Sequence, residues 1–152
     1  MQELEALQRF IHLHKQANAI YQEMSLKQNL SSSVFDIFYA ICILGDGCLQ
    51  RDICEIALIS KQTINSSIKK LEKSGYLRLI PGKGKEKHIY LTEVGKQVAE
   101  ERMVPVIKAE CRSFHEMTVD EQELLLKTTE TYLTLLEQHT KPMRTGETKP
   151  EV

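Results

Sequence analysis

One stretch sets the terms for the rest of the chain. SVFDIFYAICIL, residues 33–44, is apolar on almost every side. A helix of that composition has no face to give to water, so its neighbours must wrap it. NLSSS before it offers Ser31 or Ser32 as an N-cap, and the GDG turn at 45–47 closes it after Leu44. This helix is expected at the centre of a domain, and the remaining segments read as its wrapping.

The segment 2–27 has the spacing of a long amphipathic helix. Leu7, Phe10, His14, Ala17, Tyr21 and Met24 recur three and four apart, a seam that needs a partner to cover it. After the central helix, QRDICEIA (50–57) predicts a short helix and Leu58-Ile59 a brief connector. Ser60 is placed to cap the next helix, and Gly75 to stop it. Two short helices so joined form a helix-turn-helix. Tyr76–Ile80 and His88–Leu91 then read as strands around PGKGKEK, a turn-rich loop with no apolar residue.

Thr92 begins a further helical stretch to about residue 116, which Pro105 should kink or interrupt. Thr118 with Glu121 fits a capping box. The helix behind it lines up Leu125, Thr129, Tyr132, Leu136 and His139 on one side. KPMRTGETKPEV, polar and with two prolines, reads as a loose tail. The fold class is therefore mainly α with a small β-hairpin wing. Residues 1–140 are expected to form one domain, with 30–97 as a winged helix-turn-helix between helical segments 1–28 and 98–140. Residues 141–152 form the tail.

No apolar run approaches the roughly 18 residues that span a bilayer, and the acidic start MQELEALQRFIHLHKQ is unlike a signal peptide. A cytoplasmic protein with no membrane partner is the expectation. The net charge of −1 conceals a segregation. Ten Lys/Arg face five Asp/Glu between Cys48 and Val98, while the remainder carries ten against sixteen. A basic middle between acidic ends points to a local anionic partner.

The helix 60–73 shows where that partner would sit. With Ile64 at zero and about 100° per residue, Ser60, Ile68 and Leu71 fall within about 40° of it. Gln62, Ser66, Lys69 and Lys73 fall opposite, and Thr63 and Asn65 flank them. Gln and Asn can bond an adenine edge bidentately, Ser and Thr pair with several groups, and Lys reaches guanine or phosphate. A merely solvated face would mix Glu with Lys in i, i+4 pairs, yet this helix has no acid before Glu72. Readers are expected early in the helix (Ser60, Lys61, Gln62, Thr63, Asn65, Ser66). Lys69, Lys70 and Lys73 lie nearer the backbone.

On ICEIALISKQTINSSIKKLEKSGYL and IYLTEVGK, and on the order of its elements, the chain resembles the MarR (multiple antibiotic resistance regulator) family of transcription factors over nearly its whole length. The resemblance implies a homodimer in which the first and last helices interlock. It also implies double-stranded DNA as partner, with the recognition helices in the major grooves of a pseudo-palindromic operator and the wings beside minor grooves. Repression of neighbouring genes, relieved by a small-molecule effector, is the implied mode of action.

Three positions depart from the family's pattern. Leu58 stands where the family often has Gly. GKGKEK replaces a wing that commonly carries an Asp-Arg pair and is about two residues shorter. Lys83, Lys85 and Lys87 there attract phosphate but read a groove less well than a positioned arginine, so this wing should add affinity more than specificity. The first thiol is Cys42, unlike the early cysteine of peroxide-sensing members.

Other functions find less support in the residues. GKGK lacks P-loop spacing and a following helix, and no Ser, Cys or His sits in a nucleophile motif, so no enzyme is expected. Cys42, Cys48, Cys54 and Cys111 form no CxxC pair and read as reduced structural thiols. His12, His14, His88, His115 and His139 raise a metal-sensor reading. His12 and His14 point to different sides of a helix, however, and His14 and His139 fall on apolar seams, so neither a metal nor a cofactor is expected. Phe10, His14, Phe35 and Phe38 are candidates for an effector pocket or simply for core. The alternative to a DNA-reading regulator is a winged-helix protein-interaction module.

Overall fold

The computed structural model describes residues 2–145 of the 152-residue chain. The helices are α1 (Gln2–Lys27), α2 (Ser32–Leu44), α3 (Gln50–Ala57), α4 (Lys61–Lys73), α5 (Glu93–Val98), α6 (Val104–His115) and α7 (Val119–Thr145). The strands are β1 (Cys48–Leu49), β2 (Leu77–Pro81) and β3 (Lys87–Leu91). The fold is thus a mostly helical winged helix with a small antiparallel sheet, in the expected order of elements.

α2 takes the central place that its composition demands. Phe35, Ile37, Phe38, Ala40 and Ile41 are buried, and the helix packs against α3, α4 and the turn after α5. Its apolar last turn escapes burial: Ile43 and Leu44 are exposed. Around α2 the core gathers Ile53 from α3, Ile64, Ile68 and Leu71 from α4, and Leu77, Ile89 and Leu91 from the sheet. Ala99, Met103 and Val106 complete it.

The sheet has three strands in the order β1-β3-β2, not the two read from sequence. Cys48 pairs with Ile89 and Leu49 with His88. Two residues are too few to show a period of alternation, which is why β1 left no trace in the hydrophobic pattern. On the other side Leu77 pairs with Leu91 and Pro81 with Lys87, fixing the register of the hairpin. Gly95 lets α5 close on the start of that hairpin, since a Cβ there would collide with the Tyr76 carbonyl oxygen.

Pro105 acts one turn earlier than its own position. Residues Ala99–Met103 form a π-helical turn in which the Val104 N–H reaches back to the Ala99 carbonyl. Proline has no N–H for the carbonyl four residues behind it, and the widened turn just before it shifts the bonding register.

The chain divides into two compact units, Met1–Lys108 and Ala109–Val152. The physical reason lies in the core, whose every buried member falls between Phe35 and Val106. In the second unit Thr118 and Glu121 form the expected capping box. The Thr118 N–H donates to Glu121 Oε2 at 2.8 Å, and the Glu121 N–H to Thr118 Oγ1 at 3.3 Å. α7 continues past residue 140 through Pro142 to Thr145, so 141–145 are helical where a loose tail was expected. The rest of that tail, 146–152, lies outside the described residues.

Candidate nucleic-acid interface

α4 is held from beneath and at both ends. Ile64 and Ile68 are fully buried, and Ser67 between them donates its hydroxyl to Ser33 Oγ of α2 at 3.2 Å. At the start, Ser60 Oγ accepts the Thr63 N–H at 3.2 Å, the N-cap that the sequence predicts. At the end, Gly75 takes φ +79° and the Tyr76 N–H reaches back to the Leu71 carbonyl. A helix fixed at these points presents its opposite face with little freedom.

That face carries the expected residues. Ser60, Lys61, Gln62, Thr63, Asn65, Ser66, Lys69, Lys70 and Lys73 are all exposed. Their hydroxyls are less free than the sequence suggests. Ser60 and Thr63 share a hydrogen bond at 2.9 Å, and Ser66 gives its proton to the Thr63 carbonyl at 2.9 Å. Ser66 is thereby left to accept from a ligand, whereas the amides of Gln62 and Asn65 can both give and accept.

The connector before α4 carries strain. Leu58 sits in the left-handed region at φ 51° and ψ 31°, and the residue is 89% exposed. This is the position where the resemblance leads one to expect glycine, and the chain adopts a glycine-like backbone without one.

Beyond α4, the wing turns at Gly84 with φ +62°, and the Gly82 N–H donates to the Glu86 carbonyl at 2.9 Å. Lys83, Lys85 and Lys87 are exposed. Two residues of the wing's surroundings escaped the sequence reading. Arg78 is exposed on β2, and Arg51 of α3 pairs with Glu86 at 2.8 Å. The signal for the pair was present but weak: Arg51 is the lone base of α3 and Glu86 the lone acid of the wing loop.

The four effector candidates do not form one lining. Phe35 and Phe38 are sealed in the core, where Phe38 meets the Tyr76 ring edge-on. Phe10 and His14 are exposed on α1, stacked at 6.5 Å. Aromatics at helical spacing on a largely apolar helix fill the core, and Phe35 and Phe38 of α2 have done so.

Burial pushes the Cys48 thiol up to about 11, helped by the charges of Asp52 and Asp46. Burial also raises Cys42, with Glu100 adding to the effect. Such thiols are poor nucleophiles at neutral pH. Among the described residues no group of three or more His, Cys, Asp or Glu is arranged to hold a metal ion. No described helix is long and apolar enough to cross a membrane.

A buried three-helix centre, an exposed acid-poor face on α4 and a lysine-bearing hairpin define a winged helix-turn-helix. Residues 28–86 match the family model described as "MarR family". That match spans the segment from the end of the first helix to the wing, so the likeness to the family lies in the winged helix-turn-helix. No curated protein matches the chain. Among solved structures it is similar to NMB1585, a MarR family regulator from Neisseria meningitidis, at 21% identity and a TM-score of 0.72, covering 95% of this chain and 99% of that one. It is also similar to a MarR-family transcriptional regulator from Silicibacter pomeroyi, at 23% identity and 0.60, covering 80% and 83%. BpsR from Bordetella bronchiseptica, whose DNA binding is regulated by 6-hydroxynicotinic acid, aligns at 21% identity and 0.59, covering 82% and 98%. At these identities the structural likeness establishes the shared fold.

Proposed function

We propose that the protein is a homodimeric repressor that binds a pseudo-palindromic operator near its own gene and is released by a small-molecule effector. The observation that carries this reading is the exposed face of α4, polar and basic, with no acid ahead of Glu72. Gln62 and Asn65 are the base readers. Ser60, Lys61, Thr63 and Ser66 support them at the helix start, while Lys69, Lys70 and Lys73 hold phosphates. Lys83, Lys85 and Lys87 draw the wing onto the backbone.

Pairing two such faces requires a dimer. The exposed apolar residues of α1, among them Leu7, Phe10 and Tyr21, support this, and so do Leu125, Leu133 and Leu136 of α7. Repression follows from occupying a site that polymerase needs. An effector acts by changing the spacing of the two recognition helices, a coupling between two sites. The regulation of BpsR by an aromatic acid supports an effector of small organic type. Of the candidate positions, Phe10 and His14 are the two that solvent reaches.

Fluorescence anisotropy with the DNA upstream of the gene, against random duplex of equal length over a salt series, tests the reading. Specific binding should be at least about a thousandfold tighter than non-specific binding. Equal affinities would leave a protein-interaction module as the better description. A steep salt dependence alone reports only phosphate contact.

A further inference from the structure

The segment between α2 and α3 runs along β3 and grips it at successive points from base to tip. Near the base, Asp46 Oδ1 accepts the Leu91 N–H at 2.7 Å, and the Gly47 N–H donates to the Ile89 carbonyl at 2.8 Å. The Gly47 carbonyl then accepts from His88 Nδ1 at 2.7 Å, which fixes the tautomer with its proton on that nitrogen. The series ends at the tip, where Arg51 Nη1 donates to Glu86 Oε1 at 2.8 Å. These contacts index the hairpin to the start of α3, the helix that packs on α4.

We propose that Arg51 is a positioning residue for the wing: its ion pair with Glu86 holds the hairpin tip against α3 and so sets where Lys83, Lys85 and Lys87 stand relative to the recognition helix. The proposal rests on the DNA-binding reading above for its purpose, although the clip itself needs no DNA. Arg51 and Glu86 are 67% and 41% exposed at the side chain, so the pair adds little to global stability. Its effect is local: among the described residues it is the only salt bridge that joins α3 to the hairpin tip. The pairing also occupies the one acid of the loop, so a phosphate backbone would meet the three lysines without an opposing free carboxylate.

Charge and position make opposite predictions for one substitution. Glu86→Gln removes a negative charge from a surface that would face DNA. A wing acting by charge alone would then bind more tightly, whereas a positioned wing loses its clip and binds more weakly. Amide hydrogen exchange on the free, full-length protein should be read first, at Gly82 and Glu86, whose N–H groups close the turn. Arg51→Ala and Glu86→Gln should each speed exchange there by up to about fivefold, and the exchanged pair Arg51→Glu/Glu86→Arg should restore it. Unchanged exchange in both single variants overturns the clip, whatever the DNA result.

Anisotropy on the upstream duplex is the second readout. Each single variant should bind up to about fivefold more weakly, the Arg51→Ala/Glu86→Gln double variant no more weakly than Arg51→Ala, and the exchanged pair near the parent. Tighter binding by Glu86→Gln, with additive effects in the double variant, overturns the positioning role and leaves Arg51 as an independent phosphate contact. Parent protein with no preference for the upstream duplex would instead count against the DNA reading. In that case faster exchange in the variants would still establish the clip.

Discussion

At the scale of single residues, two positions carry a cost or a shift that the rest of the fold has to absorb. Leu58 holds a left-handed backbone with its side chain in solvent, so it loses conformational energy and gains no packing. Leu58→Gly should raise stability by about 0.5 to 1 kcal/mol, seen as a higher urea midpoint with unchanged slope. A lower midpoint would mean that the exposed Leu58 side chain has a packing role. Cys48 is the second. A thiol ordinarily near 9 is pushed to about 11 here, so between those values the fold keeps a proton that the unfolded chain has released. Its contribution is therefore complete below about pH 9 and is lost as pH rises toward 11. Denaturation midpoints across that window should fall, and Cys48→Ala should flatten part of the fall. In the same protein at neutral pH, iodoacetamide should modify exposed Cys111 well before Cys48.

At the scale of elements, what was legible in the chain depended on how local the signal was. α1 and α3 follow their hydrophobic spacing, α4 its Ser60 cap and Gly75 stop, and α7 begins at its capping box; each is dictated by residues within one or two turns. β1, the Arg51–Glu86 pair and the Ser67–Ser33 bond join residues 34 or more apart, and nothing in the flanking sequence announces them. The exposed polar face of α4 was legible because burial and polarity alternate at helical period. The local hydrogen bonds that occupy Ser60, Thr63 and Ser66 were not, since hydroxyls choose partners by geometry. This sorts the proposed readers further. Gln62→Ala and Asn65→Ala should relax base preference at particular operator positions, each by about 1 to 3 kcal/mol. Lys85→Ala should weaken all sequences alike and lower the salt slope by about one. Titrating each variant against an operator library and a salt series separates the two behaviours. Uniform loss from every substitution would remove Gln62 and Asn65 from the reading role.

At the scale of the whole molecule, the proposed dimer answers a question the single chain leaves open, namely what covers α1 and α7. Leu124, Leu125, Leu126, Leu133, Leu135 and Leu136 are all exposed on α7, and α1 exposes Leu4, Leu7, Phe10, Ile11, Leu13, Ile20, Tyr21 and Leu26. Apolar side chains in such numbers on each of two long helices exceed the scattered exposure normal for a monomer, which supports the proposed dimer. If two copies bury these helices together, the stability of each is tied to protein concentration. The urea midpoint should then rise with concentration, and sedimentation equilibrium should give twice the mass of one chain. Leu136→Glu adds a charge to a side chain that is already exposed in the single chain, so the fold of one protomer should survive it. The dimer should not, because a buried unpaired carboxylate costs several kcal/mol on each side of the interface. The variant should run as a folded monomer and lose operator affinity by about a hundredfold or more, since each half-site is then held without the effective concentration that linkage supplies. A midpoint independent of concentration in the parent protein would refute the dimer. A monomeric Leu136→Glu that still binds the operator at parental strength would separate dimerisation from DNA reading and leave one α4 to carry recognition.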